Sequence, residues 1–161
     1  MRLKMKTALI LVGKTTDKNL DSLLQDYLQR IRHYLPFDVD VIPELKSAKN
    51  LTLDQQKERE GDDILGRLKQ GDFVVLLDER GQEYRSMEFA KYLEQQFTMS
   101  HKRLVFIVGG PFGFAQKVYD KAQGKISLSK MTFSHQMVRL LFAEQFYRAL
   151  TILNHEPYHH E

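Results

Sequence analysis

The 161-residue sequence contains no cysteine, and this absence excludes disulfides, thiolate metal sites and thiol catalysis together. No apolar run approaches the roughly 20 residues of a membrane-spanning helix. The apolar stretch at residues 8–12 is too short for the core of a signal peptide. Linkers rich in Pro, Gly or Ser, repeats and low-complexity tracts are also absent. We therefore expect a cytoplasmic protein with no membrane partner, folded as a single domain over residues 1–161.

The composition is that of a globular domain, with 42% apolar and 28% charged residues. Its charge is uneven along the chain. Residues 1–100 carry 16 Lys and Arg against 17 Asp and Glu, whereas residues 101–161 carry 8 against 4, together with five of the six histidines. A basic C-terminal region can approach phosphate. A chance asymmetry on a solvated surface explains the same numbers equally well.

Several segments have the pattern of β-strands. Two are apolar on both faces, as buried parallel strands are, and the others are short or alternate between apolar and polar residues. The strands are predicted at residues 7–12, 37–41, 73–77, 104–108 and 126–128. Asp38 and Asp40 alternate with apolar residues in the second segment. They favour a position at the edge of a sheet, where charge discourages further pairing.

Helical patterns lie between and after these strands, with apolar residues at three- and four-residue spacing. Polar residues of the capping type stand before several of them, namely Thr16 or Asp17, Thr52, Ser86 and Ser134. The helices are predicted at residues 17–35, 52–70, 86–97, 115–122 and 134–153. Alternation of strands and helices predicts an α/β fold, with a mainly parallel sheet and flanking helices.

The last helix is apolar on almost its whole circumference. One face of a sheet can bury only a stripe of a helix, so the remaining apolar surface requires cover from a second side. A second copy of the chain is the simplest cover, and we therefore expect a homodimer. On this hypothesis Phe146 and Leu150 belong to the outer, interfacial face.

Three loops follow buried strands, at residues 78–81, 109–114 and 129–133. Ligands of open α/β sheets bind outside the carboxyl ends of the strands, so these loops are expected to converge on one pocket. Gly109 and Gly110 would let the backbone approach a ligand closely, although turning the chain is an equally ordinary role. The glycines do not form a G-x-G-x-x-G fingerprint, which argues against a nucleotide-dependent oxidoreductase.

The C-terminal residues offer candidates for chemistry. Arg148 is a charged residue on an apolar helix, and an ion pair with Glu144 is its simplest role. In the tail, Tyr158 could stack on a base and His159 could accept or donate a proton near neutral pH. A frayed chain end is the alternative. Pro157 interrupts the helical spacing of the nearby histidines, so we expect no metal site.

Several motifs occur in a fixed order along the chain. They are Phe106–Gly113, with the sequence FIVGGPFG, then Ser127–Arg139, with SLSKMTFSHQMVR, then Glu144–Ala149, with EQFYRA, and finally Pro157-Tyr158-His159. Each motif alone is weak, but the ordered set resembles the ribosomal RNA large subunit methyltransferase H family. The resemblance covers nearly the whole chain from Met5. Met1 to Lys4 precede the usual start of the family, and His155, His160 and Glu161 depart from its pattern.

The resemblance implies the fold of the SPOUT methyltransferases, with a C-terminal α/β knot at about residues 104–153, and a homodimer. It implies S-adenosylmethionine as the methyl donor and no metal. Its substrate would be N3 of a pseudouridine in 23S rRNA of the assembled ribosome, with no role for DNA. The cofactor residues implied are Leu77, Gly109, Gly110, Leu128, Ser129, Lys130, Met131, Thr132 and Phe133.

A sulfonium methyl group is already electrophilic, so the protein needs no nucleophile of its own. It must align the methyl group with the acceptor nitrogen and stabilise the charge left when N3 loses its proton. Arg148, Tyr158 and His159 are the candidate catalytic residues, acting within their own subunit or across the dimer. A non-catalytic, rRNA-binding assembly factor with the same pocket is the alternative function.

Overall fold

The computed structural model describes residues 3–46 and 48–161. Met1, Arg2 and Ser47 lie outside the described residues, and with them two of the four residues that precede the usual start of the family. The described strands form one parallel sheet in the order β2-β1-β4-β3-β5. They are β1 (Thr7–Val12), β2 (Phe37–Ile42), β3 (Asp72–Glu83), β4 (Arg103–Val108) and β5 (Gly124–Ser127). The edge position predicted for β2 is confirmed.

Helices connect the strands and follow the last one. They are α1 (Lys18–Arg32), α2 (Leu53–Arg67), α3 (Ser86–Thr98), α4 (Gln116–Lys121) and α5 (His135–Leu153), with a short 3₁₀ turn at Ala48–Asn50. The predicted caps Asp17, Thr52 and Ser134 accept hydrogen bonds from the backbone of the first turns that follow them. These side chains satisfy N–H groups that have no partner within the helix.

The prediction that Ser86 caps α3 is wrong. Arg85 is the cap residue, and its backbone N–H donates to the Glu88 carboxylate at 2.7 Å. Ser86 is already the first helical residue, and its hydroxyl instead contacts the Gln145 side chain on α5 at 3.2 Å. The Glu at the third helical position therefore begins this helix, a signal that the preference for Ser at caps concealed.

The loop predicted at residues 78–81 is a bulge within β3, which continues beyond it to Glu83. The pairing with β5 shifts register between Leu77 and Gln82, as at a β-bulge. Gly81 is required at this crossing, since a Cβ there would lie 2.6 Å from the Ile126 backbone. Residues 78–81 have no partner in β4 or β5, which explains why the segment has the composition of a loop.

The helices cover both faces of the sheet. On one face α5 packs between α1 and α3, over strands β1, β3 and β4. On the other face α2 and α4 cover a smaller cluster that includes Ile64, Phe114 and Val118. Parallel sheets are covered in this way because both faces of their strands are apolar.

The position of α5 corrects the expectation for its outer face. Phe146 and Leu150 are 0% exposed and pack against the sheet, so they belong to the core of their own chain. The outer side of α5 is a stripe formed by Met137, Leu141, Glu144 and Arg148, which follow one another at helical spacing. Met137 is 41% exposed. A charge at Phe146 would therefore test folding and not dimerisation.

A buried arginine joins α5 to the carboxyl end of β1. Arg139 is 0% exposed and donates hydrogen bonds to the carbonyl oxygens of Val12 at 3.2 Å and Gly13 at 3.0 Å. It also contacts the Thr15 hydroxyl at 3.0 Å and the His135 carbonyl at 3.2 Å. Burial lowers the pKa of Arg139, but a guanidinium stays charged in proteins. This network holds the first turn of α5 beside the sheet edge where the loops meet.

We expect Arg139→Met to lower the free energy of unfolding by about 3 kcal/mol or more, because buried carbonyl groups lose their donors at about 1–3 kcal/mol each. Equilibrium unfolding in urea measures the change. Arg59→Met, at an exposed position of α2, is the control and should stay within about 0.5 kcal/mol. Equal stability of the two variants would show that the Arg139 network contributes nothing.

Candidate functional site

A cleft of about 1050 Å³ opens at the carboxyl end of the sheet, where the loops after β4 and β5 face the middle of β3. The start of α5 closes one side through His135 and Val138. This volume lies at the upper end of the range of small-molecule sites. The convergence of the three predicted segments on one pocket is confirmed, and the first of them is the bulge within β3.

Eight of the nine residues that the family resemblance assigns to the cofactor line this cleft. They are Leu77, Gly109, Gly110, Leu128, Ser129, Met131, Thr132 and Phe133. Lys130 does not line it, because its side chain is 88% exposed and its ammonium group lies 4.0 Å from Glu83. Met131 stands at the rim, 76% exposed. The structure therefore brings together the residues of this loop except its lysine.

The two glycines after β4 lie against neighbouring side chains of the same chain. A Cβ on Gly109 would lie 2.9 Å from the ring of Phe114. A Cβ on Gly110 would lie 2.7 Å from the Glu60 carboxylate, which accepts a hydrogen bond from the Gly110 N–H at 3.0 Å. The expected reason for these glycines, direct approach to a ligand, is therefore incomplete. Glu60 is a residue of the site that the sequence did not indicate.

The walls of the cleft combine apolar side chains, backbone groups, the carboxylates of Asp78 and Glu79, and the cationic side chains of Lys57 and Arg80. Asp78 accepts a hydrogen bond from the Tyr119 hydroxyl, and burial together with this bond raises the pKa of Tyr119 to about 12. Burial, with Arg139 nearby, lowers the pKa of His135, so its imidazole is neutral at pH 7. Such a site suits a ligand with a flat ring, hydroxyl groups and charges of both signs.

The three candidate catalytic residues lie together, around Glu144. The Arg148 guanidinium pairs with Glu144 at 2.5 Å, which confirms the predicted ion pair. It also lies 4.9 Å from the centre of the Tyr158 ring and 3.1 Å from Nδ1 of His159. The Tyr158 hydroxyl is 3.1 Å from Glu144 and 3.3 Å from the Tyr27 hydroxyl. The tail is therefore docked on α1 and α5, and the frayed alternative is wrong.

These contacts define proton positions. Arginine can only donate, so Nδ1 of His159 accepts from Arg148, and in this arrangement the imidazole carries its proton on Nε2. That Nε2 is buried without a hydrogen-bond partner among the described residues. Burial, followed by the contacts with Tyr27 and Glu144, raises the pKa of Tyr158. Tyr158 is consequently a hydrogen-bond donor at neutral pH and not a base.

Arg148, Tyr158 and His159, together called the tail cluster, are remote from the cleft of their own chain. Val138 on α5 lines the cleft, and Arg148 lies ten residues further along the same helix, about 15 Å away at the helical rise. Arg148, Tyr158 and His159 are absent from the lining of the cleft. In the described part of the chain no group of three or more metal-ligating side chains is arranged to hold a metal ion.

Comparison with known proteins relates the chain to a family. A model described as "Predicted SPOUT methyltransferase" matches residues 5–159. A protein of Phocaeicola vulgatus is 60% identical over 157 residues, which is 98% of this chain and 100% of the relative. Relatives from Bacteroides fragilis, 59% identical, and Porphyromonas gingivalis, 52% identical, are covered equally. All three are named "Ribosomal RNA large subunit methyltransferase H". The chain belongs to this family of SPOUT methyltransferases.

SPOUT methyltransferases use S-adenosylmethionine as the methyl donor, and the cleft fits it by the chemistry of its groups. Apolar side chains such as Leu77, Leu128 and Phe133 could enclose the adenine. The carboxylates of Asp78 and Glu79 could meet hydroxyl groups or positive charge.

Within the described residues, no helix is both long and apolar enough to cross a membrane.

Proposed function

We propose that this SPOUT methyltransferase transfers a methyl group from S-adenosylmethionine to N3 of a pseudouridine in 23S rRNA of the assembled ribosome. The observation that carries the proposal is full-length similarity to relatives named for large-subunit ribosomal RNA, combined with a cleft lined by eight of the nine cofactor residues that the resemblance assigns. The nine residues, including Lys130, which lies outside the lining, remain our assignment of the cofactor site.

The bound donor supplies an electrophilic methyl group, and the work left to the protein is alignment and charge stabilisation. Loss of the N3 proton leaves negative charge on the carbonyl oxygens beside it. Arg148 would stabilise that charge with its guanidinium. Tyr158, whose hydroxyl donates to Glu144, would stack on the base. His159 would donate through Nε2, which is buried without a partner within the described residues and must become exposed when the base binds.

The distance between cleft and tail supports a site composed of two subunits. Within one chain about 15 Å of helix separates them, so the tail of one subunit would serve the cleft of its partner. The outer stripe of α5 is suited to this contact. Leu141 is only half-buried and is not among the residues packed against the core of its own chain.

The proposal includes the SPOUT knot at about residues 104–153, within a single domain. β5 lies at one edge of the sheet, whereas α5 packs between α1 and α3 and reaches β1 through Arg139. The segment that joins β5 to α5 must therefore pass the carboxyl ends of β3 and β4. The close crossing of β3 and β5 at Gly81 lies along this path.

We expect light scattering of the wild-type protein to give twice the 18.9 kDa mass of the chain. Leu141→Asp should give monomers, because a buried unpaired charge costs several kcal/mol. Leu53→Asp is the matched control, since Leu53 is 55% exposed on α2, on the opposite face of the sheet. A wild-type protein that is monomeric at the working concentration would contradict the two-subunit site.

The function is tested with tritium-labelled S-adenosylmethionine and a filter assay on 70S ribosomes, separate subunits and free rRNA. Transfer to intact particles is the expected result, and ribosomes that carry uridine in place of pseudouridine should take up no label. Binding of particles without transfer would favour the non-catalytic assembly factor. Equal labelling of uridine-containing ribosomes would overturn the pseudouridine specificity alone.

A further inference from the structure

The loop after β4 contacts the Glu60 carboxylate on α2, which lies outside the cleft. The Gly110 N–H donates to Oε1 of Glu60 at 3.0 Å, and the same carboxylate fills the space in which a Cβ of Gly110 would lie. The neighbouring Gly61 lets α2 come this close, because a Cβ there would lie 3.1 Å from the Ala115 Cβ. Glu60 itself is not part of the cleft lining.

Glu60 makes this contact although burial disfavours its ionised form. Its carboxylate is half-buried, and burial raises its pKa, with Asp63 and Glu44 acting in the same direction. The Gly110 N–H opposes this shift, because a hydrogen bond to the ionised form favours it. No salt bridge to Glu60 occurs within the described residues, whereas its neighbour Glu58 pairs with Lys117 at 2.9 Å. The partner of the half-buried Glu60 carboxylate is therefore a backbone amide and not a cation.

The orientation of one peptide follows from this bond. In a trans peptide the N–H and the preceding C=O point in opposite directions, and cis peptides are absent among the described residues. With the Gly110 N–H turned toward Glu60, outside the cleft, the Gly109 carbonyl is turned the other way. Gly109 and Gly110 both line the cleft, so this carbonyl faces the ligand side.

We propose that Glu60 is a positioning residue, which fixes the peptide between Gly109 and Gly110 so that the Gly109 carbonyl can accept a hydrogen bond from the cofactor. The inference rests on the proposed function, because it assigns the cleft to S-adenosylmethionine. It assigns Glu60 no contact with the cofactor itself. Its role depends on an acceptor atom at the right distance and not on negative charge.

The test is calorimetric binding of S-adenosylhomocysteine to the full-length chain. Glu60→Ala should weaken binding at least about tenfold, or roughly 1.4 kcal/mol. Glu60→Gln keeps an acceptor at the same reach and should stay within about threefold of wild type, whereas Glu60→Asp keeps the charge but draws it back and should lose affinity. Glu58→Ala, on the same helix but remote from the loop, should bind like wild type.

A second readout separates positioning from folding. The Gly110 amide should be protected from hydrogen exchange in wild type and Glu60→Gln, and should exchange faster in Glu60→Ala and Glu60→Asp at unchanged thermal stability. Wild-type affinity in Glu60→Asp with loss in Glu60→Gln would overturn the inference in favour of charge. So would wild-type affinity in Glu60→Ala. If the folded wild-type protein binds no S-adenosylhomocysteine, the proposed function fails, and this inference fails with it.

Discussion

Arg148→Ala is expected to lower the single-turnover rate of methyl transfer by at least about 100-fold, measured on saturating ribosomes. Removal of one donor aimed at developing negative charge typically costs about 10²–10³ in rate, and the guanidinium is the only cation in contact with Tyr158 and His159 among the described residues. Saturating substrate isolates the chemical step from binding. Binding of S-adenosylhomocysteine should be unchanged, because Arg148 is assigned to the base and none of the nine cofactor residues is altered.

Arg30→Ala is the matched control for Arg148. Arg30 lies 5.4 Å from the Tyr27 ring and 5.5 Å from the Tyr147 ring, in the same aromatic cluster, and pairs with Asp26 on the surface. Its loss should change the rate less than about threefold, since exposed ion pairs contribute little. Wild-type turnover in Arg148→Ala would show that the tail cluster only stabilises the fold.

Histidines of the tail extend this first prediction. His159→Ala should lower the same rate at least about tenfold, whereas His160→Ala should do much less, because His160 is exposed. Truncation before Tyr158 is expected to abolish transfer and also to lower stability. Truncation removes the contacts of Tyr158 with Tyr27, Glu144 and the Tyr147 ring.

Mixed dimers give the second large effect. Gly109→Val should abolish cofactor binding, because its side chain would displace the Phe114 ring that lies 2.9 Å from the Cβ position. Neither Gly109→Val nor Arg148→Ala alone should transfer methyl groups. Mixed in equal amounts and allowed to exchange subunits, they should recover about a quarter of wild-type activity, since half of the dimers then carry one complete site of two.

Recovery requires that cleft and tail come from different subunits. A site contained in one chain would give no recovery on mixing, and that result would contradict the two-subunit site. Gly66→Val introduces the same side chain at a helical glycine with no heavy atom within 4 Å, so it should bind cofactor like wild type. Circular dichroism and the thermal midpoint of Gly109→Val show whether its loss of binding is local.

Local sequence patterns predicted the elements of this protein and the position of its cleft. Alternating apolar runs and helical spacing predicted the parallel sheet and its flanking helices. Asp17, Thr52 and Ser134 predicted helix starts, because a cap acts on the backbone two or three residues away. The loops after β4 and β5 could be assigned to one pocket from chain order alone, since parallel strands end at the same edge.

Contacts between residues far apart in the chain depended on the tertiary structure. Glu60 and Gly110 are 50 residues apart and meet only because α2 and the loop after β4 lie on the same side of the sheet. Arg139 reaches Val12 across 127 residues. Periodicity showed that α5 is apolar all round, but only its packing between α1 and α3 placed Phe146 in the core. Amphipathic pattern reports how much surface must be buried, and packing decides which neighbour buries it.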